Sequence, residues 1–413
     1  MIGLPQEPWR RNQVVVSAAV FMVFTGFAFV LPFLPLYVKQ LGVRSDEAAA
    51  AWAGVLIGIA PLLAGLLAPV WGRLGDRYGH KPMAVRILVS YVILLALSGA
   101  VTNVWQLFAL RTAVGLFGGM GPLGLAMATA LAPREQTGRC VGSIQSAQIL
   151  AAAVGPLAGG ILADTIGMRW TFVATAGACG IALILLVVYF VEVPRAAPSA
   201  SAPREGFGDV LRLPGVLSMM TVLFLVNFIG RSFTPILPLH LRRLSVPPSS
   251  LAWATGALIS AYSVCAAVSA SLLGRATRRL EPRGLLVATL LAGAAIVLPM
   301  GIVATFPSFF GLALLLGLAA GGSLTLCYTI GGLMVPTARR TTAFGFFSGA
   351  ALFGGAISPA IAGLLTRLDF KAIYWADGGL YVLLALVPGA LGARRRPGAH
   401  DAAEELTRAA DGP

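Results

Sequence analysis

Charged side chains are scarce in this chain. Only 11% of its 413 residues are charged, whereas 57% are hydrophobic and the mean hydropathy is +0.85. This balance excludes a disordered chain and an ordinary soluble domain. The net charge of +14 suggests nucleic-acid binding, but most of the 30 Lys and Arg residues lie between long apolar runs. There they indicate membrane topology, so we expect no nucleic-acid partner.

Residues that carry enzymatic chemistry are also few. The three histidines, His80, His240 and His400, are far apart in the sequence, and the four cysteines lie in or beside apolar runs. No phosphate-binding loop of the form GxxxxGK[ST] and no HExxH motif is present. We therefore expect no metal, no cofactor, no disulfide framework and no enzymatic activity. A membrane-embedded enzyme would need a buried acid, nucleophile or metal cluster, and the sequence shows none.

Long apolar runs dominate what is present. Each suits the roughly 17–25 residues with which a helix crosses a hydrocarbon core of ~30 Å, and none alternates as barrel strands would. The basic residues concentrate on one side, which predicts that both termini are cytoplasmic. The twelve predicted spans are residues 14–38, 50–71, 84–101, 105–131, 140–163, 170–191, 216–241, 250–273, 284–304, 307–333, 341–366 and 372–392.

The twelve runs fall into two groups of six that repeat each other. The segment PFLPLYVK at 32–39 aligns with PILPLHLR at 235–242, and nearly the same separation aligns Pro156 with Pro359. Between the groups lies a stretch rich in Pro, Ala, Ser and charge, which is a linker composition. The sequence predicts a six-helix bundle at 1–191, a cytoplasmic linker at 192–215, a second six-helix bundle at 216–393 and a cytoplasmic tail at 394–413.

The segment between the second and third spans, GRLGDRYGHKPM at 72–83, is densely charged. Its basic residues place it at the cytoplasmic surface, its glycines permit positive φ, and Pro82 suits the first turn of a helix. The segment resembles the loop 2–3 signature of the major facilitator superfamily, although His80 stands where the family usually has Arg. The resemblance implies an all-α membrane protein with 12 transmembrane helices in two pseudo-symmetric six-helix bundles around a central cavity.

The same resemblance implies a gating latch in this segment. In the family, the matching aspartate pairs with basic residues of the loop and with a neighbouring helix end, and so holds the outward-facing state. The residues that match the latch are Gly72, Asp76, Arg77, Gly79 and Lys81. The second half carries Arg278 at the position of Asp76, so we expect the latch to act mainly in the first half.

Two arginines lie inside predicted spans, where a charge is costly and functional by default. Arg111 and Gly115 resemble the R-x-x-x-G motif of proton-coupled members, which implies a role in coupling; a structural arginine bonded to carbonyls is the alternative. Arg231 in the seventh span has no counterpart in the first half, where Ala28 aligns with it. Its guanidinium suits anionic substrates, or else a hydrogen bond between helices, and Asn227 lies one turn before it.

Acidic residues are absent from the predicted span centres. None of the 16 Asp and Glu residues lies there. Proton coupling would therefore use Asp76, Asp377, a histidine such as His240, or competition of a substrate anion with Arg111 or Arg231, or it is absent. We assign proton coupling to Arg111 and Asp377, with a simple end-of-helix carboxylate as the alternative for Asp377.

The fifth span carries a motif of small residues. Gly155, Pro156, Gly159 and Gly160 resemble the G-P-x-x-G-G antiporter motif of drug-exporting members, in the drug:proton antiporter-1 branch, and so favour export; a generic packing face is the alternative. Polar side chains in the spans are candidates for the cavity wall. Those that we expect to bind substrate are Arg231, Asn227, Gln145, Gln148, Tyr262 and Tyr328.

The sequence thus predicts a secondary active efflux transporter of a bacterial inner membrane. It would exchange protons for drugs or other small amphiphilic or anionic compounds by alternating access. The alternative is an uptake symporter or facilitator for a small metabolite on the same fold. The expected partners are a small-molecule substrate, protons and the lipid bilayer, and we expect a monomer.

Overall fold

The computed structural model describes residues 7–130, 136–192, 211–336 and 339–391. Within these ranges the chain is almost entirely helical and contains no strand. The α-helices are α1 (Pro8–Val30), α2 (Leu34–Gln40), α3 (Asp46–Tyr78), α4 (His80–Ala100), α5 (Val104–Phe117), α6 (Met120–Ala130), α7 (Thr137–Thr165), α8 (Met168–Tyr189), α9 (Val216–Ser232), α10 (Leu237–Arg243), α11 (Leu251–Ala276), α12 (Pro282–Met300), α13 (Phe306–Ala320), α14 (Ser323–Met334), α15 (Arg340–Leu365) and α16 (Ala372–Leu391).

Within the described residues these helices provide up to eleven candidate membrane spans and one shorter apolar helix. Ten helical segments are long and apolar enough to cross a membrane, and α9 with α10 forms another across a bend of 44°. The last is the shorter apolar helix Ala372–Leu386 within α16. The predicted count of twelve spans is confirmed for the described part of the chain.

Four spans are broken, which the sequence did not predict. The first span changes to a 3-10 turn at Leu31–Phe33, which contains Pro32, and the seventh breaks just before Leu237, where Pro235 precedes the second helix. Proline removes a backbone donor and clashes with the preceding turn, so a helix breaks there. The fourth span breaks at Gly119, whose φ is +117°, and the tenth at Gly321.

The charged segment between the second and third spans is a tighter turn than predicted. Helix α3 continues to Tyr78 and α4 begins at His80, so only Gly79 is non-helical, with a φ of +94°. That φ explains the glycine, because other residues avoid it. Gly72 and Gly75 lie within α3 and need no positive φ, which corrects the prediction for these two glycines. Pro82 lies in the first turn of α4, as predicted.

Buried apolar side chains form two hydrophobic clusters. One comes mainly from residues before 191 and the other from residues after 216. Most of 192–215 lies outside the described residues, so the predicted limits of the linker stay a prediction. The same holds for the tail at 394–413.

The two halves meet along two seams, α3 against α15 and α7 against α11. A Cβ added at Gly54 of α3 would overlap the carbonyl of Pro359, and one at Gly256 of α11 would overlap that of Pro156. Each glycine therefore lets a backbone approach the proline kink of the opposite half. The two contacts join equivalent positions of the repeat, so the seams are pseudo-symmetric.

Ion pairs join the halves at one end of the bundle, which we call the closed end. Asp46 of α3 bridges Lys39, at 2.5 Å, and Arg242 of α10, while Glu47 accepts a bond from Arg243 at 3.1 Å. The opposite end, which we call the turn end, carries the turn at Gly79. The halves are therefore locked together at the end far from that turn.

The seams differ between mid-membrane and the turn end. In the α3–α15 seam, a Cβ at Gly65 would lie 3.0 Å from Leu352, so these helices stay in contact. At the equivalent level, α7 and α11 separate around an open groove of about 400 Å³. Its lining is mostly apolar and comprises Ser146, Ile149, Leu150, Ala153, Val264, Ala267, Val268 and Ser271. This groove between α7 and α11, which we call the crevice, therefore separates the halves at a level where α3 and α15 stay in contact.

Candidate functional site

Arg231 is the exposed charge inside the seventh span. Its side chain is exposed although it lies in the last turn of α9, well inside the protein. A Cβ built on Gly355 of α15 would lie 3.5 Å from Arg231 Cγ and 4.0 Å from Asn227 Oδ1. Arg231 and Asn227 thus share one face of α9, and Gly355 of α15 lies opposite them. That glycine leaves room in which the guanidinium is free to meet a ligand.

Tyr262 of α11 faces the same space. It interacts electrostatically with Arg231, and it lies two residues before the groove-lining Val264. Arg231, Asn227 and Tyr262 therefore form a polar cluster of the second half, and Tyr262 is the member nearest in sequence to the groove-lining residues of α11. A cation with amide and phenol neighbours can bind a carboxylate, phosphate or sulfonate by charge-assisted hydrogen bonds.

The other predicted cavity residues lie elsewhere. Gln148 Nε2 lies near Phe24, since both flank the position of a Cβ at Gly121, while Gln145 is exposed on α7. Tyr328 stacks on Phe344, with ring centroids 5.9 Å apart, so it packs between α14 and α15. The described contacts therefore bring only part of the predicted set together around Arg231.

Arg111 is buried rather than lining the crevice. Only 1% of it is exposed, its Nε donates to the Leu56 carbonyl of α3 at 3.1 Å, and its guanidinium lies 5.8 Å from the ring of Phe27. A Cβ at Gly115 would lie 2.8 Å from the Cα of Ala60, one turn after Leu56. The glycine thus brings α5 close enough to α3 for the arginine to reach that carbonyl. This contact is the structural alternative that the sequence left open beside proton coupling.

Asp377 is buried in α16, with 1% exposed, and its Oδ2 lies 2.5 Å from the hydroxyl oxygen of Ser232. No ion pair with Asp377 occurs among the described residues. Ser232 directly follows Arg231, yet it is buried in the second half while Arg231 is exposed. Adjacent residues of α9 therefore connect the exposed cation to the buried acid.

The predicted latch residues make contacts within their own half. Lys81 Nζ donates to the carbonyls of Phe190, at 2.7 Å, and Val187, at 3.1 Å, at the end of α8. The carboxylate of Glu192 lies against Gly79, where a Cβ would overlap it. Arg77 is exposed beside Tyr78. The surroundings of Gly72 and the side chain of Asp76 lie outside the described part of the structure.

Comparison with known proteins decides the family. The model of the Major Facilitator Superfamily matches residues 16–254 and 219–410. This chain belongs to the major facilitator superfamily. It is 32% identical over 384 residues to the multidrug resistance protein MdtG of Salmonella heidelberg (strain SL476), covering 92% of this chain and 94% of that protein. The protein of the same name from Klebsiella pneumoniae (strain 342) is also 32% identical over 384 residues, covering 92% of each chain.

Solved structures show the same superfamily fold. A bacterial homologue of the human lysosomal transporter Spinster, in an inward-facing and occupied conformation, matches with a TM-score of 0.78 at 16% identity, covering 95% of this chain and all of that one. A D-xylose-proton symporter matches with a TM-score of 0.73 at 14% identity, covering 91% and 96%. At these identities the likeness concerns the fold alone. As a member of the superfamily, the chain is a multi-pass membrane transporter for a small-molecule substrate and not an enzyme.

The predicted antiporter motif in α7 contacts helices of both halves. Cβ atoms at Gly155 and Gly159 would overlap Ala28 and the backbone of Phe29 in the first span. A Cβ at Gly160 would instead overlap the Ala252 carbonyl of α11 in the other half. The motif therefore holds α7 against its own half and against the opposite half at once.

The ion pairs at the closed end were missed by sequence reasoning. Ser45 caps α3 by accepting a bond from the Ala48 amide at 3.1 Å, which places Asp46 and Glu47 in the first turn. The repeat aligns Lys39 with Arg242, so two matching basic residues converge on one acid. A signal was available: an acidic pair at a helix start beside a duplicated basic position.

Proposed function

We propose that this superfamily member exports small amphiphilic or anionic compounds across the bacterial inner membrane in exchange for protons. The turn end faces the cytoplasm in this proposal, because it carries most of the basic residues. The halves rock about the mid-membrane cluster of Arg231, Asn227 and Tyr262. The MdtG proteins, which are named for multidrug resistance, support export as the direction.

The single observation that carries the proposal is the exposed guanidinium of Arg231 inside the membrane-spanning region. A charge there is costly, so its exposure beside Asn227 and Tyr262 supports a binding role. The groove itself is mostly apolar. A substrate with an anionic group and an apolar body would satisfy both surfaces.

Proton exchange rests on the contact behind Arg231. Asp377 is the buried acid next to Ser232, and protonation removes a charge that is expensive at such a site. Arg111 contributes by fixing α5 to α3 through Leu56, so that the first half moves as a unit. Arg77, Lys81 and the undescribed Asp76 side chain bias one state as the latch. The transporter works as a monomer with both termini in the cytoplasm.

The direct test compares Arg231→Ala with the unmodified protein in a strain that lacks its own efflux pumps. The screen uses anionic, cationic and neutral antibacterial compounds in parallel. We expect resistance to the anionic compounds to fall first, about tenfold if one charge-assisted contact of ~1.5 kcal/mol is lost.

The matched control is Arg169→Ala, which removes an exposed arginine at the start of α8, away from the groove. It should leave the resistance profile unchanged. Equal loss of cationic, neutral and anionic resistance in Arg231→Ala, at equal expression, would contradict the assignment of this residue to anions.

A further inference from the structure

The internal repeat allows each buried residue of the second half to be compared with its counterpart in the first. The alignment that matches PFLPLYVK with PILPLHLR places Tyr37 opposite His240. Tyr37 contacts the ring of Phe172 at 4.9 Å and donates its hydroxyl proton to the Ser98 carbonyl at 2.9 Å. Nothing polar in this arrangement is left unsatisfied.

The second half repeats this packing but leaves its polar groups without hydrogen-bond partners. His240 contacts the ring of Tyr374 at 5.2 Å, with a similar tilt, and both residues are buried. Among the described residues, the two ring nitrogens of His240 have no hydrogen-bond partner. The hydroxyl of Tyr374 has none either. Burying such groups unpaired costs free energy, and the first half shows that Tyr and Phe fit the same packing without that cost. The polar groups are therefore not required by the fold.

Asp377 continues the pattern. In this helix a separation of 202 residues aligns Asp377 with Thr175 and Tyr374 with Phe172. Thr175 donates its hydroxyl proton to the Gly26 carbonyl at 2.8 Å. Asp377 lies one helical turn after Tyr374 and interacts electrostatically with it and with Tyr381, which also interacts with Tyr262. The second half thus replaces a satisfied Tyr, Phe and Thr with His, Tyr and Asp, which are three groups that can exchange a proton.

Ser232 can exist in two hydrogen-bonding arrangements. Its oxygen lies 2.8 Å from the Ile229 carbonyl and 2.5 Å from Asp377 Oδ2, but a hydroxyl carries one proton and cannot donate to both. When Asp377 is protonated, it can donate to Ser232, which then donates to Ile229. When Asp377 is ionised, Ser232 donates to the carboxylate, and Ile229 loses a partner.

The carbonyl of Ile229 belongs to the last turn of α9, where carbonyls have no intrahelical donor. The same turn contains Arg231 and precedes the 44° bend to α10. Ionisation of Asp377 therefore loosens the turn that positions the substrate cation, and protonation tightens it.

We propose that the second half contains a proton-binding site formed by His240, Tyr374, Asp377 and Ser232. The site receives its proton from the closed end, and its protonation state changes the last turn of α9. This inference rests on the proposed proton exchange and specifies its path. His240 lies two residues before Arg242, which pairs with Asp46 at the closed end. Both ring nitrogens are buried in this structure, so loading follows opening of the closed end. A proton from water then binds a nitrogen of neutral His240, passes to the Asp377 carboxylate, and leaves the imidazole neutral again.

Few charged groups surround this path among the described residues. His240 contacts Tyr374 and Phe309 and senses Arg243 of its own helix. Asp377 contacts Ser232 and senses Tyr374 and Tyr381. The proton would therefore be the main variable charge of the site.

The test exchanges each residue for its counterpart in the first half: His240→Tyr, Tyr374→Phe and Asp377→Thr. Infrared difference spectroscopy of the full chain in lipid nanodiscs, after an acid jump and without substrate, reports carboxyl protonation directly. We expect a buried carboxylic-acid band in the unmodified protein and its loss in Asp377→Thr and in Asp377→Asn. His240→Tyr and Tyr374→Phe should keep the band but slow its appearance about tenfold or more.

Tyr37→Phe is the matched control, since it removes a buried tyrosine hydroxyl as Tyr374→Phe does, but from the first half, and it should leave the band and its rate unchanged. Folding of each variant is checked by thermal unfolding. A band that survives in Asp377→Asn, or an unchanged rate in both His240→Tyr and Tyr374→Phe, would overturn the proton site.

The two proposals fail in distinguishable ways. If the band behaves as expected but vesicles show no substrate-driven proton movement, exchange fails while the site remains. If vesicles exchange protons and the variants leave both the band and the exchange unchanged, the site fails while the proposed function remains.

Discussion

Adjacent residues of α9 have different roles, because one is exposed and the other is buried in the second half. Arg231 and Ser232 are neighbours in sequence but face different sides of the helix, one exposed and the other 1% exposed. Sequence periodicity placed Asn227 and Arg231 one turn apart. The partner of Ser232 could not be predicted, because Asp377 is distant in sequence and reaches it only through the packing of α16.

Asp46 provides a test at the residue scale. Replacing it with Asn leaves Lys39 and Arg242 close together without their shared anion. We expect the closed end to open, since breaking a half-buried pair costs about 1–3 kcal/mol, a shift of about five- to 150-fold in the population. Distances between spin labels at Arg44 and Ser249, on exposed loops of the two halves, report this opening.

Glu47→Gln is the control for Asp46→Asn. It breaks the more exposed pair with Arg243, which should contribute less than about 1 kcal/mol. Label distances that stay short in Asp46→Asn, or that lengthen equally in both variants, would contradict the role of Asp46.

Arg111 gives a second test at this scale. Arg111→Lys cannot reproduce the bond from Nε to the Leu56 carbonyl, so we expect a loss of about 2 kcal/mol in stability. Transport should slow, while substrate affinity stays the same because Arg111 does not line the crevice. Thermal unfolding and equilibrium binding on the same preparation check both. Altered affinity with unaltered unfolding would point instead to direct ligand contact.

At the scale of elements, the count of spans and their repeat followed from the sequence, whereas their breaks did not. Long apolar runs and aligned prolines are local signals, so they predict the helices and the duplicated unit. The bend before Pro235 and the turn at Gly119 depend on whether the helix breaks before or after the proline or glycine, and the sequence does not decide this. The same limit applies to the seams, because a glycine in an apolar helix does not reveal which backbone it meets.

Gly54→Ala tests the α3–α15 seam. The added Cβ would overlap the Pro359 carbonyl, so the closed end must loosen at a cost of about 1–3 kcal/mol. We expect longer label distances at the closed end and reduced transport. Gly142→Ala on α7, where a Cβ meets nothing within 4 Å, is the control. Identical behaviour of the two variants would argue against the seam as the point of closure.

At the scale of the whole molecule, the structure is locked at the closed end and opens through one seam toward the turn end. The fold and the superfamily were predictable because the loop signature, the repeat and the apolar runs are all local patterns. The substrate and the coupling were not predictable, since they depend on which of the embedded polar groups face the crevice.

The measurement that tests the central claim most directly uses everted membrane vesicles with an acidic interior. Addition of an anionic compound identified by the resistance screen should dissipate the pH gradient in vesicles with the unmodified protein, and should not do so with Asp377→Asn. That result is expected for export in exchange for protons. An increase in the acidity of the interior, or no response to any compound that the protein confers resistance to, would contradict the account.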